Sequence, residues 1–485
     1  MQLWGDPKVK RWSLGALPIL ALSPVGALAA AGGAERIDLT THPVGIAALV
    51  VFALAYLLVM AEEFTQLRKS KPVILAAGLI WALIAWVYAE AGLGAQAEAA
   101  MRHDLLEFAE LFLFLLAAMT YVNAMEDRLV FEALRAWLVR RGFGYRALFW
   151  LTGVLAFFLS PVIDNLTTAL VMCAVVLAVG KDDTRFIGLA CINIVVAANA
   201  GGAFSPFGDI TTLMVWQKGL VEFWTFFQLF LPSVVNYLVP ASIMHFAVPR
   251  GAPAATDERV ELKRGALGVV VLFGCTIATA VAFHNFLHMP PVLGMMTGLG
   301  YLQLYDYFLK ITGRRRTAAN GLDMDAVPAA ATDAHFNVFR RIARAEWDTL
   351  LFFYGVVLCV GGLGFIGYLA LVSEQLYVQM GATFANVAVG VLSAVVDNIP
   401  IMFAVLTMSP DMPLGQWLLI TLTAGVGGSM LSIGSAAGVA LMGQARGHYT
   451  FFTHLRWTPA IALGYAASIY AHLWLNRASF ALPPG

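Results

Sequence analysis

The chain has 485 residues, of which 60% are hydrophobic and only 12% charged. Soluble domains are roughly 45–50% apolar and about 25% charged, and a water-soluble fold of this length could not hide the surplus. The composition therefore excludes a soluble enzyme and requires a polytopic membrane protein. Lys+Arg and Asp+Glu balance at 30 each, so net charge names no partner beyond the lipid bilayer, and no nucleic acid is expected. Cys173, Cys191, Cys275 and Cys359 stand singly in apolar stretches, as small packing residues, without the spacing of a metal site or a disulfide framework.

Residues 1–30 combine Lys8, Lys10 and Arg11, an apolar run and Ala27-Leu28-Ala29-Ala30. That is a signal-peptide pattern, the alternative being an uncleaved first helix. A helix needs about 20 apolar residues to cross a membrane. Spans are expected at about 44–61, 73–90, 105–125, 186–217, 226–247, 267–284, 291–309, 349–370, 415–446 and 458–476. Segments 147–180 and 382–409 differ, each being apolar on both sides of a polar tip, Asp164-Asn165 and Asp397-Asn398-Ile399-Pro400. Both read as re-entrant hairpins, since non-helical backbone at membrane depth is tolerated only where it lines protein or a water-filled cavity.

The Lys/Arg-rich loops are 68–71, 128–146, 181–185, 250–264, 310–344 and 446–456. They share one side of the membrane only if each hairpin returns to its own side, which makes that side cytoplasmic. The first hairpin then hangs from the cytoplasm and the second from outside, so the halves are inverted and the C-terminus is external. The expected fold is an all-α inverted repeat with two re-entrant hairpins and two broken transmembrane helices. Its parts are scaffold helices at 31–145, a first transport repeat at 146–225, and further scaffold helices at 226–310. A flexible linker at 311–346, a scaffold helix at 347–381, a second transport repeat at 382–447 and a C-terminal helix at 448–485 complete it.

After each hairpin comes a glycine- and serine-rich apolar element, 199–212 and 425–438. Superposing Gly201-Gly202 on Gly427-Gly428 also brings Gly208 onto Gly434. Such sequences suit helices broken within the membrane, which free carbonyls at one half-helix end and N–H groups at the other. Close helix packing is the other reading of the Gly pairs, and back-bonding is the other reading of an isolated Ser or Thr.

The chemistry-bearing residues are Asp164, Asn165, Thr167 and Thr168 at one tip, and Ser393, Asp397 and Asn398 at the other. The broken helices add Asn199, Ser205, Asp209, Thr211 and Thr212, then Ser429, Ser432 and Ser435. Intramembrane carboxylates mark function by default, and an all-oxygen set suits hard cations such as Na⁺ or Li⁺ rather than zinc or copper. Burial raises a carboxylate's proton affinity. A buried Asp can then bind H⁺ or Na⁺ but not both at full strength, a minimal mechanism for exchange on Asp164, Asp209 and Asp397. His103, Glu107 and Glu110 could relay protons from the outer surface, or could sit in the interface.

At 160–170, 199–212 and 393–408 the chain resembles the NhaD-type sodium/proton antiporters of bacterial inner membranes, members of the ion transporter superfamily. The resemblance covers essentially everything after residue 30. It implies a scaffold domain, a transport domain moving like an elevator, and a homodimer. It places cation binding on Asp164, Asn165, Asn199, Asp209, Thr211, Thr212, Ser393, Asn398, Ser432 and Ser435, with His103 and Glu110 as further candidates. Ser435 stands where the first half has Asp209, so the halves are chemically unequal.

The expected function is export of Na⁺, and of Li⁺, in exchange for H⁺, with no cofactor beyond the transported ions. The alternative is a sodium-coupled dicarboxylate-type symporter, against which three site acids argue. An intramembrane aspartyl protease lacks support, because Pro206-Phe207-Gly208-Asp209 misses the first glycine of GxGD. A channel would leave the paired inverted hairpins unexplained.

Overall fold

The computed structural model describes residues 36–484 except 66, 181–182, 253–259 and 320–337. The signal-like segment 1–30 and the middle of the expected linker lie outside the described residues. Every regular element among the described residues is helical, and eight helices are long and apolar enough to cross a membrane. Their lipid-compatible faces follow from composition: Pro43–Met60 carries Ile46, Val50, Leu54 and Leu57 exposed, while the buried positions include Gly45, Ala48 and Ala55. Without water on the outside, small residues mark where helices approach and large apolar ones can face outward.

Some elements differ from expectation. The helix Gly94–Asp127 starts about ten residues before the expected span, because its Ala-rich first turns continue the helix and Arg102 pairs with Glu98 one turn away, 2.7 Å. Within the basic stretch 128–146 lies an amphipathic helix, Val130–Arg140, which buries Ala136, Leu138 and Val139. Tyr368–Ser373 and the π-helical turn Glu374–Gln379 occupy most of an expected outer loop. The described part of the linker is also helical, at the end of Pro291–Ala319 and at Val338–Ile342. Tyr145–Ile163, expected as a hairpin leg, is among the eight long apolar helices; Pro291–Ala319 and Thr458–Leu475, expected as spans, are helical but outside that group.

The packing repeats. Tyr145–Ile163 packs on Thr184–Gly202, and Ala382–Leu392 packs on Leu414–Gly427 in the same relation. Ser160 donates to the carbonyl of Ala198 at 2.6 Å, and Ser393 donates to that of Ala424 at 3.1 Å. A methyl on Gly201 would run into the Phe157 carbonyl, and one on Gly427 into that of Gly390. Those carbonyls belong to the residues seven before Asp164 and Asp397, so glycine at both positions lets each broken helix touch its neighbour's backbone.

The second legs also reach across to the other half. Asn165–Gly180 packs on Ala436–Gln444 of the second half, and Asn398–Met408 packs on Ile210–Gln217 of the first. Both polar tips are thereby carried to the same place between the two breaks. Around this unit, Pro43–Met60, Ser70–Glu90 and Trp347–Phe365 pack together, as do Gly94–Asp127, Ala266–Leu287 and Pro291–Ala319.

Candidate functional site

Each tip and each break has a local cause. Tyr145–Ile163 contains Pro161 and ends at Asp164, whose backbone takes φ 71° and ψ 160°. A non-glycine residue there is strained. Its carboxylate compensates by accepting from the Thr167 backbone N–H at 2.8 Å and from the Thr167 hydroxyl at 2.9 Å, which caps the following helix. The breaks close with nearly identical backbones: Asp209 has φ −146° and ψ 148°, Ser435 has φ −141° and ψ 149°. Each is the N-cap of its half-helix, Asp209 accepting from Thr211 N–H at 3.1 Å and Ser435 from Gly438 N–H at 3.3 Å. Gly202 meets Gly208 across the first break as Gly428 meets Gly434 across the second, with no room for a side chain.

The four elements meet in one polar network. Asp209 Oδ2 accepts from Asn165 Nδ2 at 3.0 Å and from Asn398 Nδ2 at 3.1 Å, one amide from each tip. Asn165 Nδ2 also lies 3.1 Å from Asn199 Oδ1, and Asn199 Nδ2 donates to Ser435 Oγ at 3.1 Å. Asp209 is 5% exposed and Asn199 fully buried. Among the described residues no Lys, Arg or His forms an ion pair with Asp164 or Asp209. The hydroxyls of Thr168, Thr211 and Ser432 are buried without a hydrogen-bond partner. Carboxylates without a counter-charge and orphaned hydroxyls ask for something bound, and among the described residues no group of three or more His, Cys, Asp or Glu is positioned to hold a metal ion.

A cavity of about 100 Å³ reaches Asp164, Asn165, Thr167, Asp209 and Asn398 past Lys69, Arg344 and Glu346, residues of the Lys/Arg-rich side. A second cavity, about 260 Å³, shares Lys69 and Glu346 and is lined by Asp397 and Ser435. Asp397 is paired with Lys69, at 3.7 Å. Ser393 and Thr212 donate to backbone carbonyls, Ser393 to Gly390 at 2.8 Å and Thr212 to Asp209 at 2.6 Å, so their hydroxyls hold the scaffolding of the site. Ser205 and Ser429 do likewise, donating to Pro161 at 2.9 Å and to Val426 at 2.6 Å.

The protein is similar along nearly its whole length to curated bacterial proteins. It is 60% identical over 475 residues to the "Na(+)/H(+) antiporter NhaD" of Alkalimonas amylolytica, covering 97% of this chain and 98% of that one. It is likewise 60% identical to the "Na(+)/H(+) antiporter NhaD" of Vibrio cholerae, covering 96% and 98%. The "Sodium/proton antiporter 1" of Arabidopsis thaliana matches at 31% over 90% of this chain and 74% of its own. A family model described as "Citrate transporter" matches residues 71–425. The chain belongs to the NhaD family of sodium/proton antiporters.

In this NhaD-type chain the remaining expected residues lie elsewhere. His103, Glu107 and Glu110 line a separate cavity of about 220 Å³ with Lys218 and Gln217. His103 is exposed and 3.0 Å from Glu107, which also pairs with Lys218 at the end of the first broken helix. Sequence reasoning missed Lys69, Glu346 and Lys218. Lys69 stands in a loop that the sequence uses only for sidedness, Lys218 carries no sequence signal, and their partners are brought from 328 and 111 residues away.

Proposed function

We propose that this chain is a secondary active transporter exchanging cytoplasmic Na⁺, and Li⁺ with it, for external H⁺, and that the exchange occurs at Asp209 and Asp164. One observation carries the reading. Asp209 is buried where both repeats and both tips meet, accepts one amide from each tip, and among the described residues has no ion pair with a cationic side chain. A carboxylate so placed is stable only when neutralised by a bound cation or a proton. Binding Na⁺ on the ionised carboxylate and holding H⁺ on the protonated one are alternatives at one group, so loading one ion releases the other. Asn165, Asn199 and Asn398 orient it, and Asp164, Thr167, Thr168, Thr211, Ser432 and Ser435 complete an oxygen-rich surround suited to a hard monovalent ion.

Further features belong to the same proposal. The tips are re-entrant, the repeats are inverted, and the tips and broken helices move together as an elevator against the remaining helices. The protein is a homodimer of the bacterial inner membrane with a periplasmic C-terminus, and the cavity beside Lys69 and Arg344 is its cytoplasmic entry. Sodium-coupled anion symport is the weaker reading. The relatives matched over nearly the full chain carry the antiporter name, and the centre presents acids where an anion would require donors.

The test is sodium-induced collapse of a pre-formed proton gradient in proteoliposomes. The intact protein should release the gradient on adding Na⁺ or Li⁺ alone, and Asp209→Asn and Asp164→Asn should not. A response that requires citrate or another di- or tricarboxylate would overturn antiport in favour of symport.

A further inference from the structure

The two tips share the Asp-Asn pair but differ three residues after the aspartate, and that difference leaves one carboxylate without local support. Three residues after Asp164 stands Thr167, whose N–H and hydroxyl both donate to the Asp164 carboxylate, at 2.8 and 2.9 Å. Three residues after Asp397 stands Pro400, which has neither an N–H nor a hydroxyl. Asp397 accordingly caps nothing with its side chain, and its Oδ1 is buried without a hydrogen-bond partner. An ionised carboxylate in that state needs an opposite charge.

The charge is present in the chain. Lys69 Nζ lies 3.7 Å from Asp397 Oδ2, with both side chains largely buried, 17% and 15% exposed. Lys69 precedes the helix Ser70–Glu90, outside both repeats' tips and breaks. Its ammonium also sits 4.6 Å from the centre of the buried Phe352 ring, a cation–π contact that holds it in the cavity rather than in water. Ser70 donates to Asp348, fixing the helix start beside it.

We infer that, in the conformation of this structure, the Lys69 ammonium occupies the second half-site: it neutralises Asp397 in place of a transported ion, so that on this side only the first half-site, at Asp209 and Asp164, loads Na⁺. The inference rests on the antiport reading and deepens it. Where the repeat would otherwise provide two cation positions, the second break has Ser435 for Asp209 and the second tip has a tethered ammonium for a free ion. Asp397 is then a positioning residue, holding the second tip against the start of Ser70–Glu90 while the cavity is open on that side.

The experiment measures the rate and the Na⁺ dependence of gradient collapse in proteoliposomes for the unmodified protein, Lys69→Arg, Lys69→Gln, Asp397→Asn and Lys69→Gln/Asp397→Asn. The inference expects Lys69→Arg to stay within about threefold of the unmodified rate. Each neutral single variant should lose at least about tenfold, because it strands one buried charge. The double variant, with two neutral amides in the same places, should recover most of that loss while keeping a Hill coefficient of one for Na⁺. If Lys69→Gln does not fold but the double variant folds and transports, the pairing is still supported. A double variant no better than the worse single, or a Lys69→Gln protein that transports normally with unchanged Na⁺ dependence, overturns the inference. Silence of the unmodified protein towards Na⁺ would instead overturn the antiport reading, so the two failures are distinguishable.

Discussion

At the scale of single residues, hydroxyls that look alike in sequence do different work. Ser393 donates to Gly390 and Ala424 carbonyls, whereas the Ser432 and Thr168 hydroxyls have no protein partner. Ser393→Ala should therefore lower thermal stability in detergent, by about 1 kcal/mol for a lost hydrogen bond, and leave half-saturating Na⁺ within about twofold, since a twofold change is only about 0.4 kcal/mol. Ser432→Ala should do the reverse, raising half-saturating Na⁺ while stability holds. A titration of antiport rate against Na⁺, set beside a melting curve of each variant, separates the two roles. Competition at the same carboxylates also fixes the sign of the pH effect. Metal ligands must be deprotonated to bind, so half-saturating Na⁺ should rise as pH falls, by up to about tenfold per unit in the proton-dominated range. A Na⁺ affinity independent of pH between 7 and 9 would contradict exchange on one shared group.

At the scale of elements, the breaks depend on backbone approaching backbone. A Cβ at Gly201 meets the Phe157 carbonyl, and one at Gly427 meets that of Gly390. Gly201→Ala and Gly427→Ala should each destabilise by the roughly 1–3 kcal/mol typical of overpacking, and each should reduce transport. Gly78→Ala, in Ser70–Glu90 with open space beside it, should be neutral or slightly stabilising, as expected for alanine in a helix. These spacings were legible before the structure, because helix breaks need glycine and polar N-caps at fixed offsets. The amphipathic helix Val130–Arg140 was not, because its arginines and its brevity resemble a loop until the burial of Leu138 and Val139 is known.

At the scale of the molecule, charged pairs join different helices at separate cavities. Lys69 pairs with Asp397 in one, and Glu107 pairs with Lys218 in the other. The second pair is more open, 21% and 38% exposed. Glu107→Gln should consequently change stability by no more than about 1 kcal/mol, the usual limit for an exposed ion pair. Its effect should show in transport rate, and its larger effect at low ionic strength, where screening is weak, would be read by repeating the assay across salt concentrations.

The sequence by itself determined that this protein lives in a membrane, where its two polar tips and two breaks fall, and that Asp164, Asn165, Asn199, Asp209 and Asn398 are the polar residues set at those tips and breaks. Apolar composition, intramembrane acids and glycine spacing are local signals that need no partner to be read. Only the tertiary structure decided which of those residues meet. The second legs also pack across the halves, which puts Asn398 on Asp209 and Asn199 on Ser435 across 189 and 236 residues. It also gave Asp397 its partner, Lys69. Contacts over such distances follow from how helices pack, and no spacing along the chain encodes them.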